Sequence, residues 1–144
     1  MQNFPLVSVI CLSYNHEAYV VEALNSVINQ TYPNIELLIA DDCSSDHSVG
    51  VIQDWLQHHP NVYFLANEKN LGNTKTFNQL AKKAKGEFII DLAADDILLP
   101  NCIEKQVKTF QNSKYENLGI VYGNLIEIDK NGNFIRNYYT EEDH

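Results

Sequence analysis

The chain holds only three cysteines, Cys11, Cys43 and Cys102, and no two of them form a CxxC. That spacing offers neither a zinc site nor a disulfide framework and reads as a reduced compartment. Basic residues are scarce as well: 10 Lys and Arg stand against 19 Asp and Glu, for a net charge of −9. Nucleic acid and an anionic membrane surface both need a basic footprint, so neither is an expected partner. No apolar run approaches the length of a membrane span. Met1 to Pro5 lacks the charged and apolar regions of a signal peptide. Three nucleotide and hydrolase signatures are missing too. There is no GxGxxG after the first apolar run, no GxxxxGKS or GxxxxGKT, and no GxSxG. Their absence speaks against a dehydrogenase-type dinucleotide fold, a P-loop NTPase and a nucleophile elbow. The five histidines, His58-His59 among them at a helix end, read as solvated side chains rather than metal ligands.

What remains is a chain of 144 residues, 44% hydrophobic and 20% charged, the profile of one soluble globular domain. Its apolar residues alternate between strand-like runs and helical spacing. Strands are expected at 6–12, 35–40, 61–66, 88–92 and 118–122, the last extending toward 128. Helices are expected at 17–30, 47–58, 74–85 and 100–112. The helix at 74–85 shows Phe77, Leu80, Ala81 and Ala84, the stripe of a surface helix, and Gly86 reads as the residue that closes it. Asn131-Gly132 is a hairpin turn with a returning strand at 134–138. Residues 140–144 form an acidic tail. The order β-α-β-α-β-α-β-α-β predicts an α/β fold with a doubly wound, mainly parallel sheet and a late β-hairpin.

Parallel strands bring all their carboxyl ends to one edge of the sheet, where ligands of open α/β folds bind. Three polar clusters are expected there. Ser13-Tyr14-Asn15 ends strand one, Asp41-Asp42 ends strand two, and Asp95-Asp96 follows strand four. Asp and Ser at such places are also ordinary helix caps. The two acidic pairs together suit a nucleoside diphosphate: one pair for ribose or base, the other for a bridging Mg²⁺ or Mn²⁺.

These residues sit in blocks that resemble a known family. Val7-Ser-Val-Ile-Cys-Leu-Ser-Tyr-Asn15, Ser26-Val-Ile-Asn-Gln-Thr-Tyr-Pro33, Ile39-Ala-Asp-Asp-Cys-Ser-Ser-Asp46, Gly86-Glu-Phe-Ile-Ile90 and Ala94-Asp-Asp96 are similar to family 2 glycosyltransferases of the Rossmann-like GT-A fold. Asn70-Leu-Gly72 with Asn78 fits the same pattern. The resemblance covers the chain from about Pro5 to Asn133. It implies an inverting transferase with a nucleotide-sugar donor, often a UDP-sugar, and a glycan or lipid-linked acceptor. It also implies a divalent cation, a place in polysaccharide synthesis, and a cytoplasmic location at the inner face of the membrane.

Carried onto this sequence, the resemblance gives Asp42, with Asp41 beside it, the base or ribose. Leu12, Ser13 and Tyr14 would line the nucleoside pocket. Asp95 would face the ribose or sugar, and Asp96 would lead on the metal with Asp95 as competitor. Lys75 would approach the phosphates. Two departures stand out. Where many members carry the first acid of Asp-x-Asp-Asp, this chain has Ala93. The acceptor-binding half, with its catalytic base, is expected beyond these residues, and neither Glu127 nor Asp129 reads as that base. Two other readings remain open: an inactive nucleotide-binding or interaction module, and a flavodoxin-like phosphoacceptor domain.

Overall fold

The computed structural model describes residues 4–139. The chain divides into two compact units, Met1–Glu104 and Lys105–His144.

The first unit is built on four strands: β1 (Val7–Ser13), β2 (Ile35–Asp41), β3 (Tyr63–Ala66) and β4 (Phe88–Ala93). They form one sheet in the order β3-β2-β1-β4, and every pairing is parallel. All seven residues of β1 are buried, as a central strand covered on both faces requires. The helices of this unit are α1 (Val20–Ile28), α2 (Ser48–Leu56) and α3 (Asn73–Ala81). On one face of the sheet, Ile10, Leu12, Leu38 and Ala40 pack with Leu80 of α3, flanked by Leu65, Phe77, Ala81 and Ala84. The alternate residues Val9, Cys11, Leu37 and Ile39 are buried as well. Helix α1 turns Val20, Leu24 and Val27 inward at helical spacing and packs against β1 and α2. Trp55 Nε1 donates to Asn25 Oδ1 at 2.9 Å, which ties α2 to α1.

The strand order makes a switch point. From β1 the chain steps outward to β2 and β3, then α3 carries it back across the sheet to β4 on the other side of β1. A crevice opens at the carboxyl ends of strands that diverge in this way, here between β1 and β4.

At the opposite edge, Gly86 does not close α3, which ends at Ala81. Its role is close approach. A Cβ there would lie 2.5 Å from Ser8 Oγ and 2.6 Å from Ser8 N. Glu36 completes the contact: its Oε1 accepts from Ser8 Oγ, Lys85 N and Gly86 N. Only a residue without a side chain lets the start of β4 settle beside the start of β1.

In the second unit, β5 (Ile126–Ile128) and β6 (Phe134–Asn137) make an antiparallel hairpin around the 131–132 turn. Helix α4 (Cys102–Gln111) contains the division between the units. The strand expected at 118–122 is absent. A strand needs a partner for its backbone groups, and no ladder pairs these residues among those described; Ile120 and Tyr122 are exposed. The expected acidic tail at 140–144 lies outside the described residues. Among the described residues, no helix is long and apolar enough to cross a membrane.

Candidate functional site

The three polar clusters do meet at one edge of the sheet. The backbone continues the ladder just past the strands: Asp42 N donates to Ser13 O, Ala94 N to Leu12 O, and Asn67 N to Asp41 O, each at 2.9 Å. The ends of β2 and β4 are therefore fixed on either side of the end of β1.

Two non-glycine residues at this edge have positive φ, Asn15 at 59° and Cys43 at 67°. Such values are uncommon and need support from their surroundings. That support is a set of cross-links between the loops after β1 and β2. Asn15 N donates to Ser44 Oγ, and Ser45 N donates to Asn15 Oδ1, both at 2.8 Å. His16 N donates to Ser48 Oγ at 2.9 Å. Glu17 N donates to Asp46 Oδ2, while Glu17 Oε2 accepts from His47 N. Asp46 Oδ1 also accepts Ser48 N and so caps the start of α2.

The two acidic pairs differ in state. Asp41 is 0% exposed; its two oxygens accept Ser44 N and Ser44 Oγ. Asp42 is 6% exposed. Its Oδ1 accepts from Asn67 Nδ2, Leu71 N and Thr76 Oγ1, and its Oδ2 from Gly72 N, all at 2.8–2.9 Å. Burial works against this carboxylate, but the donors from Leu71, Asn67, Thr76 and Gly72 outweigh it and hold its pKa below the usual range. The pair thus anchors the loop that leads into α3, and Oδ2 of Asp42 keeps lone-pair capacity beyond its one internal bond.

Asp95 and Asp96 are exposed, and neither carboxylate accepts a hydrogen bond among the described residues. Asp96 N donates to Ala93 O at 3.0 Å, which closes the turn after β4. Partial burial and the neighbouring Asp95 charge push the Asp96 carboxyl up, with His16 acting the other way. His16 Nε2 stands 3.7 Å from Asp95 Oδ2. Below this turn, burial and the charges of Asp91 and Asp95 push the Cys11 thiol up to about 12, so it is inert.

The block 26–33 holds this turn from beneath. Leu98 N donates to Ser26 Oγ at 3.1 Å. The Gln30 amide donates to Leu99 O at 2.8 Å and accepts from Ile103 N at 3.1 Å. Thr31 N donates to Pro100 O at 2.8 Å. A helix end far from the acids in sequence thereby fixes the chain that follows them.

Of the other residues expected at the site, Leu12 and Ser13 are buried and Tyr14 is exposed. Ser13 Oγ is sealed from solvent without a hydrogen-bond partner, as is His16 Nδ1. Lys75 is exposed in the first turn of α3. His16 and Gln30 were not expected to matter. Their partners lie far along the chain, and no local pattern reports them.

Comparison with known proteins identifies the family and the fold. The model of the family described as "Glycosyl transferase family 2" matches residues 8–143. An uncharacterised glycosyltransferase of Methanocaldococcus jannaschii is 33% identical over 140 residues, covering 96% of this chain and 48% of that protein. Chondroitin synthase of Escherichia coli is 34% identical over 140 residues, covering 97% of this chain and 20% of that one. The chain therefore spans half or less of the length of these relatives. Among solved structures, S. aureus TarS 1–349 in complex with UDP-GlcNAc superposes with a TM-score of 0.67 at 25% identity, covering 81% of this chain and 37% of that one. The parallel sheet with its alternating helices is the GT-A arrangement. A family match over nearly every residue, on a sheet whose switch point carries the acids, makes this chain a member of glycosyltransferase family 2.

Proposed function

We propose that this chain forms the donor half of a glycosyltransferase. It binds a nucleotide-sugar, a UDP-sugar by preference, at the β1/β4 switch point, for transfer to a hydroxyl of a glycan or lipid-linked acceptor with inversion. One observation carries the reading. Asp95 and Asp96 lie in the turn that follows a parallel strand at the switch point, with exposed carboxylates that accept no hydrogen bond among the described residues. Capping acids would be engaged, as Asp46 is.

The donor set fits a divalent cation. Mg²⁺ and Mn²⁺ take oxygen ligands, and such sites combine one or two carboxylates with substrate phosphates. Partial burial and the neighbouring Asp95 charge raise the Asp96 carboxyl, and a cation relieves the repulsion between the two. Asp96 leads on the metal, with Asp95 beside it facing ribose or sugar. A cation held there would supply charge neutralisation to the nucleoside diphosphate leaving group. On the nucleoside side, Leu12, Ser13 and Tyr14 line the pocket, with Tyr14 the exposed member. Asp42 meets the base or ribose through Oδ2, while Asp41 holds the wall through Ser44. Lys75, on the helix whose entry loop Asp42 anchors, approaches the phosphates. UDP in the related TarS complex supports the choice of nucleoside.

The general base that deprotonates the acceptor hydroxyl is assigned to none of these residues. Glu127 is held by Arg136, and Asp129 ties the hairpin turn through Asn131 N and Asn133 N. The chain by itself is expected to bind donor and transfer sugar slowly or not at all.

Calorimetric titration of UDP and GDP, each with and without Mn²⁺, tests the proposal. Metal-dependent UDP binding that disappears in Asp96→Ala supports it. Folded protein that binds neither nucleotide under any condition overturns it.

A further inference from the structure

The two carboxylates after β4 are chemically alike, adjacent and both exposed, yet the structure treats them differently. The charge of His16 acts on Asp96 too, but its close contact is with Asp95. The His16 backbone is fixed on both sides: N donates to Ser48 Oγ, and the carbonyl accepts Tyr19 N and Val20 N at the entry to α1. The left-handed turn at Asn15 delivers the chain to that position. The ring then reaches from the end of β1 to the end of β4, with Nε2 3.7 Å from Asp95 Oδ2. Its other nitrogen, Nδ1, is sealed from solvent and has no partner. A proton on Nδ1 would be a buried donor with nothing to accept it. Nε2 is therefore the nitrogen that presents a proton toward Asp95, and at 3.7 Å the approach is electrostatic rather than a hydrogen bond.

We infer that His16 is a positioning residue that divides the work of the acidic pair, its Nε2 drawing Asp95 toward the β1 side of the crevice and leaving Asp96 to lead on the metal. This rests on the donor-site reading given above. Without such a restraint, two free adjacent carboxylates both turn to a divalent cation, because that is the strongest relief of their repulsion. The bare metal would then be held more tightly. The donor would be held less well, since the carboxylate meant for its hydroxyls would be occupied. An imidazole beside Asp95 prevents this and keeps one acceptor for the nucleotide-sugar.

The consequence is a pair of opposite shifts that a merely structural histidine does not produce. Mn²⁺ alone is titrated by electron paramagnetic resonance, and UDP in saturating Mn²⁺ by calorimetry, on the full chain. His16→Ala is expected to bind Mn²⁺ more tightly and UDP more weakly, each by roughly tenfold, the low end for loss of a group that orients a ligand. His16→Gln, which keeps a donor near the Nε2 position, is expected to restore both. In an Asp95→Asn background, His16→Ala should change neither value, since the carboxylate it restrains is gone. The inference is overturned if His16→Ala leaves both affinities alone or lowers both together. It is equally overturned if Gln fails to rescue, or if the effect persists without Asp95. Wild-type chain that binds neither Mn²⁺ nor UDP instead removes the donor-site reading, and this inference with it.

Discussion

Asp41-Asp42 and Asp95-Asp96 occupy matching places, each at the carboxyl end of a parallel strand beside β1, and they are used in opposite ways. The first pair is buried and every one of its oxygens is engaged by donors from the chain itself, with only Oδ2 of Asp42 keeping room for a further bond. The second is exposed and accepts no hydrogen bond among the described residues, and partial burial together with the neighbouring Asp95 charge pushes the Asp96 carboxyl up. A carboxylate can shape a site or serve in it, and the donors around it decide which. Glu36 at the far edge of the sheet is a third case, engaged by Ser8, Lys85 and Gly86 where no ligand is expected.

The largest expected effect falls on the filled pair. Asp42→Ala strands Leu71 N, Gly72 N, Asn67 Nδ2 and Thr76 Oγ1, and should lower stability by about 3 kcal/mol, since unsatisfied buried groups cost about 1–3 kcal/mol each and some will find water. The contribution has a pH signature. The folded pKa lies below the unfolded value of about 3.9, so the stabilisation is complete above that value and is lost as pH falls through the folded one. Urea unfolding of wild type and variant should therefore converge in acid. A variant as stable as wild type at neutral pH would erase the distinction between the two pairs.

Gly86→Ala comes next and controls for the edge. The added Cβ meets backbone as well as the Ser8 hydroxyl, and overpacking of this kind costs about 1–3 kcal/mol. UDP affinity of the folded protein should be unchanged, because the strain sits at the edge opposite the switch point. A large loss of UDP binding in folded protein would mean the two edges are not independent.

The sheet was legible in the sequence because strand and helix periods leave a local trace. The four parallel strands, three flanking helices and the hairpin all follow from it, and the hairpin turn falls at Asn131-Gly132 as expected. The segment 118–122 misled because its apolar residues resemble a strand while nothing in sequence says whether a ladder will pair them. Gly86 misled because a glycine after a helical stripe ordinarily closes the helix. Its real constraint is Ser8, which local reading cannot reach. The acids were legible as a cluster and illegible in state. Asp42 draws its donors from 25 to 34 residues away, so only the folded chain shows that it is filled. His16 escaped for the same reason, its partner Asp95 lying in the turn after β4.

A smaller effect, opposite in sign, separates the open pair from the filled one. Asp96 has a folded pKa above its unfolded value, so ionising it works against folding. The penalty is absent below about pH 3.9, grows as pH rises through the folded pKa, and is constant above it. Asp96→Asn should therefore gain stability at pH 7, on the order of 0.5 kcal/mol after screening by solvent, and gain nothing at pH 3. It should lose metal-dependent UDP binding all the same. Stability gained while binding is lost is the mark of a group kept for a ligand rather than for the fold.

The smallest effect is expected where a carboxylate is paired but lies in solvent. Arg136 Nε and Nη2 donate to both oxygens of Glu127 across the hairpin at 2.8 and 2.9 Å. Arg136 holds the Glu127 carboxyl below its usual range, as it would at a buried pair. Yet water and salt screen an exposed pair, and ordering two long side chains offsets most of the attraction. Arg136→Ala should leave the thermal midpoint within error of wild type, and added salt should not widen the gap. A clear loss of midpoint would show that ideal geometry alone can make an acid structural. That would undercut the argument from Asp42, in which burial and the number of donors, not the presence of a partner, decide what a carboxylate is for.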